Sequence, residues 1–194
     1  MVKALLIVDM LNDFVNPDGN LPVAGAPELV ENINQIRQAA YEKDMLVVYA
    51  NDAHAENDPE FEVWPPHCVK GEYGAEVFKQ LAPQENDLVL EKVDLSVFTN
   101  EKADKELKAR GIDELYVTGV ATEYCVKGAV MNALELGYKV NLVVDGIAGV
   151  DKIVLPDETV VPGTFGAVNN ALLEMGNAGA QPVYTNQVLE EMVQ

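Results

Sequence analysis

Basic side chains are scarce in this 194-residue chain, with 13 Lys and Arg against 32 Asp and Glu and a formal net charge of -19. A surface of that sign repels phosphate backbones and anionic membranes, so nucleic acid is not an expected partner. Cysteine is nearly absent, with only Cys68 and Cys125. A chain this long needs no disulfide staple and shows no CxxC pair, so both thiols are expected to be reduced. Long apolar runs are also missing, and nothing approaches the ~20 residues that span a bilayer. The run Ala4-Leu-Leu-Ile-Val8 stops at the acid Asp9 with no small-residue cleavage site behind it. It reads as a first strand, not a signal peptide, and a soluble cytoplasmic protein is expected. Neither GxGxxG nor GxxxxGK occurs, so nucleotide binding is not indicated.

What is present is a regular alternation. With 48% hydrophobic residues the chain can bury a full core, and its length suits one domain spanning residues 1–194. Short β-branched runs read as strands at Ala4–Val8, Met45–Ala50, Asp87–Glu91, Glu114–Gly119, Lys139–Val144 and Gln181–Tyr184. Helical patterns lie between them at Pro27–Lys43, Glu101–Arg110, Thr122–Leu136 and Gly163–Met175. The expected fold is therefore a three-layer α/β/α arrangement, a six-stranded parallel sheet with helices on both faces. Leu29, Ile33, Ile36 and Ala40 carry the spacing of one buried helical face, and Gly111 and Gly137 sit where C-caps do. Three stretches, Met10–Ala26, Asn51–Gly74 and Asp145–Pro162, are long and irregular, as functional loops tend to be.

In an open parallel sheet the chemistry collects at the carboxyl ends of the strands. Here those ends carry Asp9, Asn51-Asp52 and Lys92, and the fourth strand leads to Cys125. A cysteine nucleophile needs a base for its proton and a cation nearby, and Asp9 with Lys92 could supply both. Each residue alone has an ordinary explanation: a loop cap, a surface lysine, a small buried thiol. Both histidines fall in the loop after the second strand, as Asp52-Ala-His54 and Trp64-Pro-Pro-His67-Cys68. Asp52 and His54, two apart in an extended segment, face the same side and could grip one ion, with His67 folding back as a third ligand. Glu60, Glu62 or water could complete the site, Cys68 is a soft candidate beside His67, and two ordinary surface histidines are the plain alternative.

Taken as a set, these motifs resemble the isochorismatase-like cysteine hydrolases, specifically their nicotinamidase branch. The resemblance is carried by Leu6-Ile-Val-Asp9-Met-Leu-Asn-Asp-Phe14, Asp52-x-His54, Trp64-Pro-Pro-His67-Cys68-Val-x-Gly71, Lys92 and Val117-Thr-Gly-Val-Ala121-Thr-Glu-Tyr-Cys125-Val. It implies a triad of Asp9, Lys92 and Cys125, and a divalent metal, zinc before iron or manganese, on Asp52, His54 and His67 with Glu60 as an additional ligand. It further implies a cis peptide between Val120 and Ala121, an oxyanion hole from the Ala121 and Cys125 amides, and a pyridine pocket lined by Phe14, Trp64 and Tyr124. The implied reaction is hydrolysis of nicotinamide to nicotinate and ammonia, a step of NAD salvage. Two features depart from the branch: Ala53 stands where an aromatic is common, and the loop from His54 to His67 is short. Competing readings are a relative acting on a different small amide or carbamoyl compound, and a non-catalytic metal-binding or thiol redox protein. Ile153, Val154, Leu155, Val160 and Val161 follow no core period and could serve a homo-oligomer interface or cover the domain's own core.

Overall fold

The structure, a computed structural model, describes residues 1–150 and 166–193. Six parallel strands form one sheet: β1 (Val2–Val8), β2 (Leu46–Asp52), β3 (Leu88–Lys92), β4 (Ile112–Gly119), β5 (Lys139–Ile147) and β6 (Gln181–Val183). Their order is β3-β2-β1-β4-β5-β6. The chain thus builds outward from β1 on one side, then returns to build outward on the other. The reversal leaves a crevice beyond the carboxyl ends of β1 and β4, where such sheets bind ligands.

Alternation along β1 divides its apolar side chains between two cores. Leu5 and Ile7 pack with Leu29, Ile33, Ile36 and Ala40 of α2 (Ala26–Glu42) and with Val188 of α6 (Thr185–Val193). Ala4, Leu6 and Val8 pack on the other face with α3 (Glu101–Ala109), α4 (Lys127–Glu135) and α5 (Ala167–Ala178). This is the expected three-layer architecture, and a strand buried on both faces accounts for its unbroken apolar sequence.

Three elements differ from the sequence expectation. Thr122–Leu136 does not form one helix: a wide π-type turn, Thr122–Val126, precedes α4. The widening lies in bonds that span five residues, from the Val126 amide to the Ala121 carbonyl and from the Lys127 amide to the Thr122 carbonyl, while the Thr122 amide, free in any first turn, donates to the Ala148 carbonyl. The short α1 (Asn12–Val15) and α6 lie outside the helical patterns read from the sequence, and α6 buries only Thr185 and Val188. Its start is fixed by a distant group, since the Thr185 amide and hydroxyl both donate to Asp145 Oδ1. The irregular segment after Asp145 begins as a continuation of β5 to Ile147; from residue 151 it lies outside the described residues, as do Ile153, Val154, Leu155, Val160 and Val161. Among the described residues no helix is long and apolar enough to cross a membrane.

Register brings the site together. Val8 pairs with Ala50 on one side and Gly119 on the other, and Asp52 pairs with Lys92. Gly119 adopts φ +112, and a Cβ there would lie 2.0 Å from the Val8 carbonyl oxygen, so only glycine lets the ends of β1 and β4 close up.

Candidate active site

Asp9, Lys92, Asp52 and Cys125 meet just beyond the strand ends, all of them buried. Asp9 leaves β1 with φ 51, its amide bonded to the Ala50 carbonyl at 2.9 Å, which turns its side chain across the strand ends. Its Oδ1 accepts the Asp52 amide at 2.7 Å, and its Oδ2 lies 2.8 Å from Lys92 Nζ. The same ammonium forms a close ion pair with Asp52 Oδ1 and sits 3.4 Å from Cys125 Sγ. One cation therefore serves two carboxylates and a thiol.

The charges do not share that cation equally. Burial, reinforced by the neighbouring Asp52, raises the Asp9 carboxyl to about 6 even though Lys92 pulls it down. Burial also works to raise Asp52, but Lys92 and His54 outweigh it and hold that carboxyl below its ordinary value. Lys92 stays firmly protonated because the carboxylates of Asp9 and Asp52 overcome its desolvation. The thiol is pulled both ways. Lys92 does pull its pKa down, but burial dominates and Asp9 and Asp52 add to it, so the resting group is S–H, well above the ordinary thiol range.

Cys125 is presented by the π-type turn. The peptide between Val120 and Ala121 is cis, in the position the resemblance implies. The Tyr124 and Val126 amides both donate to the Ala121 carbonyl, at 3.0 and 3.2 Å, folding the turn back on its entry. The Ala121 amide, by contrast, donates to no partner among the described residues, and Ala121 lines the same cavity as Cys125.

Opposite the thiol lies a second group of donors. One ligand atom from each of Asp52, His54 and His67 falls within 4.8 Å of the others, and all three residues are buried. A small parallel bridge between His54 and Val69 brings them together: the His54 amide donates to Cys68 and the Lys70 amide to His54, each at 3.0 Å. The two imidazole centroids end 4.9 Å apart. His67 Nδ1 lies 2.8 Å from the Pro65 carbonyl, which can only accept, leaving Nε2 as the ligating nitrogen. His54 Nδ1 lies 3.1 Å from Asp58, while its buried Nε2 has no hydrogen-bond partner and faces Asp52 Oδ2 at 3.8 Å. An orphaned buried nitrogen beside a second imidazole and a carboxylate is the donor set that zinc or iron takes, so the residues fit a metal. Without one, contact with Asp52 outweighs burial and raises His54 to about 9.

Glu60 joins this group at its edge, with Oε1 3.9 Å from His67 Nε2, whereas Glu62 is exposed. Cys68 does not join it: it takes φ 46 and turns into the α2-side core as a free thiol. Asp52 belongs to both halves of the site, offering one oxygen to Lys92 and the other to His54.

Between the halves is a cavity of about 440 Å³. Phe14, Trp64 and Tyr124 all line it; Trp64 and Tyr124 meet edge to face at 5.8 Å, and Phe14 lies 5.6 Å from His67. Its carboxylates are Asp9, Asp52, Glu60 and Asp94, with Asn20 and His67 as further polar lining, and none of the described lining residues is Lys or Arg.

Three contributing residues stand in the quoted motifs or the loop between the histidines without a role read from sequence. Asp13 Oδ2 accepts the Cys68 amide at 2.7 Å and its Oδ1 the Asn20 amide at 3.0 Å, tying the loop after β1 to the histidine loop. Phe61 lies edge-on to both histidines, 5.6 and 5.7 Å between centroids. Asp58 holds His54. Buried carboxylates capping distant amides leave no local pattern, although the Asp13-Phe14 pair inside a strand-end motif marks the place.

Residues 3–153 match the family model described as the isochorismatase domain. The chain belongs to the isochorismatase family. Within that family it is 32% identical, over 97% of each chain, to the nicotinamidase of Escherichia coli. Its fold superposes on the pyrazinamidase of Pyrococcus horikoshii in complex with zinc with a TM-score of 0.82 and 31% identity, covering 95% of this chain and 99% of that one. It also superposes on the N-carbamoylsarcosine amidase of Thermoplasma acidophilum, with a TM-score of 0.79 and 29% identity over 96% of this chain and 98% of that one. Isochorismatase-family relatives of similar identity therefore act on different amides.

Proposed function

We propose that the chain is a nicotinamidase, an amide hydrolase that converts nicotinamide to nicotinate and ammonia through a thioester on Cys125. One observation carries this reading: the thiol with its acid and lysine faces an Asp-His-His donor set across a cavity whose described lining offers a substrate no cationic side chain. A carbamoyl amino acid or ureido acid brings a carboxylate, and the one cationic side chain close by, Lys92, is buried and taken up by Asp9 and Asp52, which leaves that carboxylate only the metal ion to pair with. A neutral aromatic carboxamide has no such need and gains from Phe14, Trp64 and Tyr124.

Asp52, His54 and His67, with Glu60 at the edge, would hold a zinc, iron or manganese ion, which when bound supplies an electrophilic site suited to a pyridine nitrogen. The ring then lies among the aromatics with its carboxamide toward Cys125. Asp9 accepts the thiol proton as sulfur attacks the carboxamide carbon, and the Ala121 and Cys125 amides stabilise the oxyanion. Asp9 returns that proton to the departing amine, giving ammonia and a thioester. A water molecule, deprotonated by Asp9, opens the thioester; nicotinate leaves and the proton returns to the sulfur. Lys92 keeps its proton throughout and holds the negative charge as it moves between Asp9 and sulfur.

The test is ammonia release from nicotinamide beside N-carbamoylsarcosine and ureidoacrylate, with added zinc, iron or manganese. Nicotinamide is expected to turn over far faster than either anion, and Cys125→Ala should lower the rate by at least ~10⁴-fold, as loss of a nucleophile does, while still binding metal. Preferential turnover of an anionic amide would replace the nicotinamidase reading with that of another amidase of the family. Near-normal ammonia release by Cys125→Ala would remove the thiol from the mechanism.

A further inference from the structure

Asp58 contacts the His54 ring and the Glu60 backbone directly. It follows a loop turn after His54, and its two oxygens are divided between two tasks. Oδ2 lies 3.1 Å from His54 Nδ1, and Oδ1 accepts the Glu60 amide at 2.9 Å, capping the 3-10 turn Pro59–Glu62. We propose that Asp58 is the positioning residue of the metal centre: it fixes the His54 ring with Nδ1 protonated and Nε2 bare, and sets the turn that carries Glu60 and Phe61 to the histidines. The inference rests on the metal-site reading above.

A carboxylate can only accept at His54 Nδ1, so that nitrogen donates, and when the ring gives up its second proton to ligate a metal this is the one ring proton it keeps. The lone pair is therefore on Nε2, the buried atom without a hydrogen-bond partner that faces Asp52. His67 reaches the same tautomer through the Pro65 carbonyl, a backbone group that side-chain substitution does not remove. Side-chain control of the donor set thus lies at His54. The same cap places Glu60 Oε1 3.9 Å from His67 Nε2 and seats Phe61 against both rings, limiting their rotation. Outer carboxylates of this kind orient ligating histidines and raise their basicity.

Asparagine provides a near-isosteric test. Its single oxygen is required by the Glu60 amide, so its NH₂ group faces His54 Nδ1, which must then accept; the ring proton moves to Nε2 and blocks the ligating atom. Serine keeps the cap, since its hydroxyl serves an N-cap well, but is too short to reach His54. Zinc affinity of the metal-free protein is measured by competition with a chromophoric chelator for wild type, Asp58→Asn and Asp58→Ser, with circular dichroism reporting the fold. Both variants are expected to stay folded and to bind zinc ~10–100-fold more weakly, Asp58→Asn at least as weakly as Asp58→Ser. Affinity of either folded variant within twofold of wild type overturns the proposal while leaving the metal site standing. Should Asp58→Asn not fold, Asp58→Ser decides it. Wild-type protein that takes up no zinc removes the metal-site reading and this inference together, a result distinct from the first.

Discussion

Lys92 is the residue on which the site's electrostatics depend. Its ammonium lies between Asp9 at 2.8 Å, Asp52 and the Cys125 sulfur at 3.4 Å, and both carboxylates are buried. Replacing it with methionine, similar in length but uncharged, leaves two carboxylates facing each other without a cation. Removing one partner of a buried ion pair costs roughly 3–5 kcal/mol, so Lys92→Met should unfold at clearly lower urea concentration and release no ammonia from nicotinamide. The same crowding sets a pH limit on activity. Asp9 acts as a base only when ionised, and its carboxyl is raised to about 6, so kcat/KM should fall about tenfold per unit as pH drops below that value. An acid limb near the ordinary carboxylate value would show that Asp9 is not the base. Asp9, Lys92 and Cys125 are legible in sequence because strand ends are legible. Their balance is not: burial outweighs Lys92 at the thiol, and burial is a property of the packed molecule.

At the scale of elements, the strands hold the site and the loops shape it. Asp13, at the start of the four-residue α1, accepts amides from Asn20 and Cys68 and so binds the wall of the cavity to the loop that presents His67. Gly74 packs so closely that a Cβ would fall 2.1 Å from Asp13 Oδ2. Asp13→Ala leaves the buried Cys68 amide without an acceptor, at ~1–3 kcal/mol for a buried group left unpaired, and gives the Asn20 amide, on an exposed residue, to solvent. It is expected to lower the denaturation midpoint and to raise KM for nicotinamide more than it lowers kcat, since the turn that carries the thiol and the end of β1 that carries Asp9 are left in place. A selective fall in kcat would place Asp13 in the chemistry itself. Gly74→Ala should reproduce the Asp13→Ala phenotype in weaker form. The turn that carries Cys125 makes a related point: the helical period extends back to Thr122, but the first residues form a π-type turn in which the Val126 amide reaches the Ala121 carbonyl five residues back.

On the scale of the whole molecule, a net charge of -19 acts against the compact state through self-repulsion. Because the Debye length falls from ~10 Å at 0.1 M salt to ~3 Å at 1 M, added sodium chloride should raise the melting temperature by a few degrees; a falling one would show that local ion pairs outweigh the global repulsion. The six strands and four of the six described helices follow from the sequence, because apolar period and turn residues are local properties that each segment carries by itself. So does the type of chemistry at the strand ends. The order β3-β2-β1-β4-β5-β6 does not follow, since any parallel strand can in principle neighbour any other. That order and its register set Asp52 opposite Lys92 and Val8 opposite Gly119. Only the tertiary structure could decide that Asp52 gives one oxygen to the lysine and the other to His54, because contacts between residues 40 apart depend on how strands pair and not on what each strand contains.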